Sequence, residues 1–160
     1  MTSKRTIAVG VSWWNRPTLG ALLGAQGAAV VFHDSFEEGL AAARACGGAL
    51  VAWASKVSPE NEAAARQAGV GLTFAEDGFL RSVGLGAGLA RGGGYVLDAT
   101  GIYYDATRPS DIETMLETTT VGATEAACAA DLRARILEAR ISKYNVGRRK
   151  VSLGAPLGRE

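Results

Sequence analysis

Short apolar runs alternate with helix-like stretches over the first two-thirds of the chain. Thr6-Ile7-Ala8-Val9-Gly10-Val11 reads as a buried strand, followed by a turn at Asn15-Arg16-Pro17 and a helix through Leu19, Leu22 and Leu23. Ala28-Ala29-Val30-Val31-Phe32 is a second strand, and Ser35 to Cys46 an alanine-rich helix stopped by Gly47-Gly48. Ala49-Leu50-Val51-Ala52-Trp53 is a third strand. Ser58-Pro59-Glu60 opens the next helix with a capping hydroxyl, a proline in the first turn and an acid near the positive helix end. Gly69 ends that helix, and Gly71-Leu72-Thr73-Phe74-Ala75 is a fourth strand. Continuous apolar strands separated by helices of about ten residues belong to a parallel sheet covered on both faces. The expected fold class is therefore α/β: a Rossmann-like parallel sheet flanked by helices.

The pattern changes after Asp77. Residues Phe79 to Gly94 are glycine-rich and read as loop. Tyr95-Val96-Leu97-Asp98 and Ile102-Tyr103-Tyr104-Asp105 flank the turn Ala99-Thr100-Gly101 as the two arms of a hairpin would. Ser110 and Glu113 form a capping box for a short helix carrying Met115 and Leu116. A longer helix is expected from Thr124 to Tyr144, with Cys128, Leu132, Ile136 and Ala139 on one apolar face and Gly147 as its breaker. Two regions result. Residues 1–146 form one Rossmann-like half-module, and residues 147–160, with Arg148-Arg149-Lys150, form a basic, flexible tail.

Composition narrows the function classes. At 160 residues, 48% apolar and 21% charged, the chain suffices for one domain with a core but not comfortably for two. A net charge of +1 argues against disorder and against nucleic-acid binding by bulk charge. No run approaches the ~18 consecutive apolar residues of a membrane span. Met1-Thr2-Ser3-Lys4-Arg5 leads into a strand-like segment without a signal-peptide apolar region. Cys46 and Cys128 are too few and too far apart for a disulfide framework or a zinc site, and His33 is the one histidine. The expectation is a cytoplasmic domain that needs no metal and no cofactor.

Ligands of parallel α/β sheets collect at the carboxyl ends of the strands. The fourth strand delivers Glu76-Asp77-Gly78 there. Adjacent side chains on a strand point to opposite faces, so only one of the two acids faces a given cleft. Two readings stand: a carboxylate nucleophile or base at the strand end, or a capped turn with two solvated acids. Arg81 and Ser82 either bind an anionic group through guanidinium and hydroxyl, or Arg81 simply pairs with Glu76 or Asp77. Gly84-x-Gly86-x-Gly88 departs from the dinucleotide fingerprint and reads as a flexible or closely packed loop. From Tyr103 to Ser110 polar groups gather before a helix; in the plainer reading one tyrosine packs, Asp105 and Arg108 pair, and Ser110 caps. Trp13 and Trp14 either stack on a ligand or pack in the core, and Lys56 either neutralises a phosphate or carboxylate or is solvated. His33 reads as structural or surface. Arg140, Lys143, Arg148, Arg149 and Lys150 either touch anionic lipid or end a helix in solvent.

Three segments together carry a resemblance. They are Glu76-Asp77-Gly78-Phe79-Leu80-Arg81-Ser82-Val83-Gly84-Leu85-Gly86, then Asp98-Ala99-Thr100-Gly101-Ile102-Tyr103-Tyr104-Asp105-Ala106-Thr107-Arg108-Pro109-Ser110, then Ile141-Ser142-Lys143-Tyr144-Asn145. Their order and spacing resemble the capsule polysaccharide biosynthesis proteins, retaining β-Kdo glycosyltransferases that build the Kdo linker on a lipid anchor of bacterial capsules. Val51-Ala52-Trp53-Ala54-Ser55-Lys56 resembles a Trp-and-Lys segment of that family more loosely. The similarity spans about residues 6 to 146.

The resemblance implies a GT-B-like architecture of two Rossmann-like halves, CMP-Kdo as donor, a lipid-linked Kdo acceptor and no metal. Retention implies double displacement through an enzyme carboxylate or a same-face substitution. In the first case Asp77 is the candidate nucleophile and Glu76 the runner-up. Arg81 and Ser82 would then hold the Kdo carboxylate or the acceptor, and Tyr104, Asp105 and Arg108 would shape the cleft. Family members continue past Tyr144-Asn145 into a second α/β half, whereas this sequence stops at Glu160. The expectation is one part of a transferase, cytoplasmic or at the inner face of the membrane, with little turnover by itself. A C-terminal half-module or a homodimer would complete it. The alternative is a non-catalytic glycan-binding or assembly module of capsule biosynthesis.

Overall fold

The structure, a computed structural model, describes residues 5–25 and 27–146. The element order is β1 (Arg5–Val9), α1 (Arg16–Gly24), β2 (Ala29–His33), α2 (Phe36–Cys46), β3 (Ala49–Trp53), α3 (Pro59–Gln67), β4 (Leu72–Asp77), β5 (Tyr95–Asp98), α4 (Asp111–Thr118) and α5 (Ala123–Glu138). The strands lie in the order β2-β1-β3-β4-β5. The first four are parallel, and β5 runs antiparallel to β4. The expected α/β fold is present, as a mixed sheet dominated by parallel pairs.

Period-two alternation divides the parallel strands between two packed faces. Ile7, Val9, Leu50 and Ala52 point to the face covered by α2, where Ala43 is buried and Phe36 and Leu40 pack, with Val57, Val70 and Leu72 alongside. Ala8, Val51 and Ala75 point to the other, where α1 inserts Leu19 and Leu23. Local signals set the helix ends. Ser35 accepts the Glu38 amide at 3.2 Å, and Gly47 closes α2 at φ 60°, a backbone conformation that glycine adopts without penalty. Ser58 and Asn61 form a reciprocal capping box on α3, and Ser110 and Glu113 do the same on α4.

Three expectations need correction. First, Ile102 to Asp105 is not a strand, and the hairpin does not form. Asp98 is 1% exposed and accepts the amides of Thr100 at 2.9 Å, Gly101 at 2.7 Å and Asp111 at 3.0 Å. That carboxylate bends the chain away after β5, which pairs with β4 instead. Second, the long helix stops at Glu138, not Tyr144. Arg140 takes the left-handed conformation at φ 52°, and the Ile141 and Arg140 amides return to the Ile136 and Leu137 carbonyls, a Schellman ending. Third, the apolar face of that helix does not meet a core: Cys128, Leu132 and Ala139 are exposed, and Ile136 is only half-buried. The fourth strand also runs two residues further than its apolar pattern, through Glu76 and Asp77. The tail at 147–160, with Arg148, Arg149 and Lys150, lies outside the described residues. No helix among the described residues is long and apolar enough to cross a membrane.

Candidate functional site

The carboxyl end of β4 is where the sequence placed its chemistry, and the strand does extend through both acids. Phe74 and Glu76 share one face of the sheet, and Ala75 and Asp77 the other. On the Asp77 side, Arg81 Nε lies 2.6 Å from Asp77 Oδ2, with the arginine side chain 2% and the aspartate 21% exposed. The other oxygen, Asp77 Oδ1, is covered and makes no hydrogen bond among the described residues. Buried polar atoms without partners are uncommon, and each asks for a reason.

Arg81 and Ser82 therefore sit differently from the expectation that they hold a ligand. Arg81 donates from Nη1 to Ser82 Oγ at 2.8 Å and to the Ala90 carbonyl at 3.1 Å, while Ser82 donates to the Gly84 carbonyl at 2.7 Å. The pair fixes the glycine-rich loop behind Asp77. That loop is also tied to α1, because Asn15, 3% exposed, accepts the Gly92 amide at 2.9 Å. The plainer sequence reading, Arg81 paired with Asp77, is the one the geometry shows.

The three separated segments meet here. Amides of Arg81 and Ser82 donate to the Lys143 carbonyl at 2.9 and 3.2 Å, and the Gly84 amide to the Tyr144 carbonyl at 2.8 Å. Asn145 donates from Nδ2 to the Ser82 carbonyl at 3.0 Å. From the middle segment, the Tyr103 hydroxyl donates to the Asp77 carbonyl at 3.2 Å and the Tyr104 hydroxyl to Glu76 Oε2 at 3.3 Å. The Tyr103 ring lies tilted 4.9 Å from Phe79 and meets Tyr104 edge-on at 5.4 Å. Burial first, and then the Glu76 charge and hydrogen bond, push the Tyr104 phenol up to about 12.

That shift gives a direct check. Between about pH 10 and 12 the unfolded chain has lost the Tyr104 proton while the folded chain keeps it. Its contribution to stability is thus complete below pH 10 and disappears as pH rises through 12. Ultraviolet titration is expected to show one tyrosine ionising near pH 12, absent in Tyr104→Phe. An unchanged titration in that variant would contradict the Glu76–Tyr104 contact.

Beside the acids lies a cleft of about 780 Å³, lined on one side by Ser55, Glu62 and Arg66 and on the other by Tyr104, Asp105 and Arg108, with Phe74 at its base. The cleft opens on the Glu76 face, although neither acid is among its lining residues, and Asp77 points to the opposite face of the strand. Arg108 contacts Glu62 at 2.7 Å and Asp105 at 3.3 Å, and its guanidinium covers the Phe74 ring at 4.8 Å. The hydrogen bond to Glu62 raises Arg108 further despite its burial, and Thr107 holds Asp105 below the usual carboxylate range. The expected Asp105–Arg108 pair and the Ser110 cap are both present. Lys56 is elsewhere: it donates to the Gly10 carbonyl at 2.7 Å, tying the ends of β1 and β3 together where the strand order reverses. Trp13 is exposed and meets Trp14 edge-on. No group of three His, Cys, Asp or Glu residues among those described could hold a metal ion.

Residues 48–153 match the family described as capsule polysaccharide biosynthesis protein. The chain belongs to that family. Its fold matches the Thermosulfurimonas dismutans KpsC structure titled β Kdo 2,4 transferase, at TM-score 0.65 and 32% identity. That match covers 92% of this chain and 44% of the other. The KpsC β Kdo 2,7 transferase from the same organism follows at 0.63 and 25% identity, covering 84% and 43%. In sequence, the lipopolysaccharide-processing protein LpsZ of Rhizobium meliloti is 43% identical over 84 residues, 52% of this chain and 18% of LpsZ. The capsule polysaccharide modification protein LipA of Neisseria meningitidis is 40% identical over 83 residues, 52% of this chain and 12% of LipA. The chain thus spans under half of these solved family structures and under a fifth of these two relatives.

Several residues of the assembled site have no sugar-site role in the sequence reading: Asn15, Glu62, Asp98, Tyr103, and Lys143, which reads there only as a lipid-facing or solvated cation. Asp98-x-Thr100-Gly101 has the form of an aspartate-led turn, a signal present in the sequence. Nothing in the spacing joins Lys143 to Asp77, since 66 positions separate them and only the fold brings them together.

Proposed function

We propose that these 160 residues form one wall of a retaining β-Kdo glycosyltransferase site, acting on CMP-Kdo and a lipid-linked Kdo acceptor in capsule assembly. The observation that carries the reading is Asp77: a strand-end carboxylate, 21% exposed, with one oxygen ion-paired to a buried arginine and the other covered and without a hydrogen bond among the described residues. Family membership and the KpsC-like fold support the sugar class. In the proposed cycle, an Asp77 oxygen attacks the anomeric carbon of Kdo, and the bond to the CMP oxygen breaks with its electron pair leaving on CMP. The acceptor hydroxyl then displaces Asp77 and gives up its proton to a base. Two inversions at one carbon retain configuration.

Glu76, hydrogen-bonded to Tyr104 on the cleft face, shapes the wall instead of attacking; Asp105 and Arg108 extend it. Arg81 and Ser82 are positioning residues for Asp77. The other wall, in a GT-B-like arrangement, comes from residues that the longer KpsC structures contain outside the matched region. The reaction takes place at the inner face of the membrane, where the lipid-linked acceptor is presented.

Incubation of the 160-residue polypeptide with CMP-Kdo and a Kdo-terminated acceptor tests this. Turnover is expected to be close to background alone and to appear when the remainder of a KpsC-type transferase is fused after residue 146. Robust turnover by the polypeptide alone would contradict the two-wall reading.

A further inference from the structure

The proposed chemistry poses a charge problem. In a 2-ulosonic acid such as Kdo, the anomeric carbon itself carries the carboxylate. A carboxylate nucleophile at that carbon therefore approaches a second negative group, and like charges so close repel strongly without a cation beside them. Arg81 cannot serve the sugar, being 3% exposed with its guanidinium on Asp77, Ser82 and Ala90. Arg108 is held by Glu62 and Asp105, and Lys56 by the Gly10 carbonyl.

Lys143 is placed otherwise. Its backbone is locked to the segment after Asp77 by the amides of Arg81 and Ser82. The turn that carries it is closed by Ser142 and Asn145, each donating its amide to the other's side chain at 3.0 Å. Tyr103 is its neighbour there: the Tyr103 hydroxyl donates to the Asp77 carbonyl at 3.2 Å, and Tyr103 and Asp77 both act electrostatically on the Lys143 ammonium. An ammonium has three protons to donate. The side chain is half-buried, its Nζ 5.6 Å from the Tyr144 ring centroid, and the Asp77 charge acts on it.

We propose that Lys143, docked through its backbone on the segment that follows Asp77, is the anion-recognition residue of the site and binds the carboxylate on the anomeric carbon of an acidic 2-ketosugar. The proposal rests on the Kdo reading and deepens it. Lys143 selects the acid over neutral sugars and keeps the two carboxylates together as the nucleophile approaches.

Calorimetric titration of the 160-residue polypeptide with methyl β-Kdo glycoside, and with the same glycoside as its carboxylate methyl ester, tests the assignment. The protein is expected to bind the acid roughly tenfold or more tightly than the ester. Lys143→Met is expected to erase that preference while leaving ester binding unchanged, and Lys143→Arg to keep most of it. The arginine variant retains charge and chain geometry, so it remains informative should the methionine variant fold poorly. A preference that survives in Lys143→Met, or equal binding of acid and ester by the unaltered protein, overturns the role of Lys143 and leaves the sugar site standing. Binding of neither form overturns the Kdo reading, and Lys143 with it.

Discussion

In a transferase made by joining residues 5–146 of this chain to the remainder of the KpsC β Kdo 2,4 transferase, Asp77→Asn is expected to lower kcat by roughly three orders of magnitude or more. Asparagine keeps the shape of the side chain at the end of β4 but cannot form the glycosyl ester. The loss should fall on kcat, since the surrounding hydrogen bonds from Tyr103 and Arg81 to main-chain and side-chain neighbours persist. Glu76→Gln, with Tyr104 still able to donate to the amide oxygen, is expected to stay within roughly tenfold of the parent. Steady-state kinetics on the two variants separate the acids. Near-parental kcat in Asp77→Asn, with collapse in Glu76→Gln, would transfer the nucleophile to the other face of the strand.

The largest structural effect is expected at Asp98. This carboxylate is 1% exposed and satisfies three backbone amides that turn the chain from β5 toward α4. Asp98→Ala leaves all three donors without their partner in a place where water has little access. At about 1–3 kcal/mol for each buried unsatisfied group, partly relieved by relaxation, a loss of roughly 3–5 kcal/mol follows. For a domain of this size that corresponds to a fall in Tm of roughly 10 °C or more. Because Asp98 also orders the segment that brings Tyr103 and Tyr104 to β4, Asp98→Ala is further expected to lose the high-pH Tyr104 titration. Thermal unfolding followed by circular dichroism checks the first effect. A Tm within a few degrees of the parent would show that the turn is held by something else.

Where chain-local signals act alone, the sequence is a reliable guide. β3 at Ala49–Trp53 and the caps at Ser35, Ser58 and Ser110 can be read from apolar runs and hydroxyls three residues before a partner. The errors share a cause, which is tertiary contact. Ile102 to Asp105 has strand-like residues, yet the Asp98 turn and the contacts of Tyr103 and Tyr104 with β4 decide its path. Helix α5 carries a period that suits a core, but among the described residues no sheet face packs against it, and Arg140 in a left-handed conformation ends it early. At the site, alternation correctly separates Glu76 from Asp77, since period two is a property of the strand itself. The fate of Arg81 is a different matter. A guanidinium near an acid is equally suited to ligand or to ion pair, and only its burial against Ala90 and Ser82 selects the second. Lys143 is further still from any local signal, because the turn at 142–145 must first dock on the Arg81 segment.

Three distant segments converge around the end of β4, where an acidic sugar is proposed to bind. Chemical-shift mapping of the isotope-labelled polypeptide, titrated with methyl β-Kdo glycoside, examines that surface residue by residue. Saturable shifts are expected at the amides of Glu76, Asp77, Tyr104 and Lys143, with α5 unaffected. Shifts that never saturate, or that centre on the exposed leucines of α5, would contradict it.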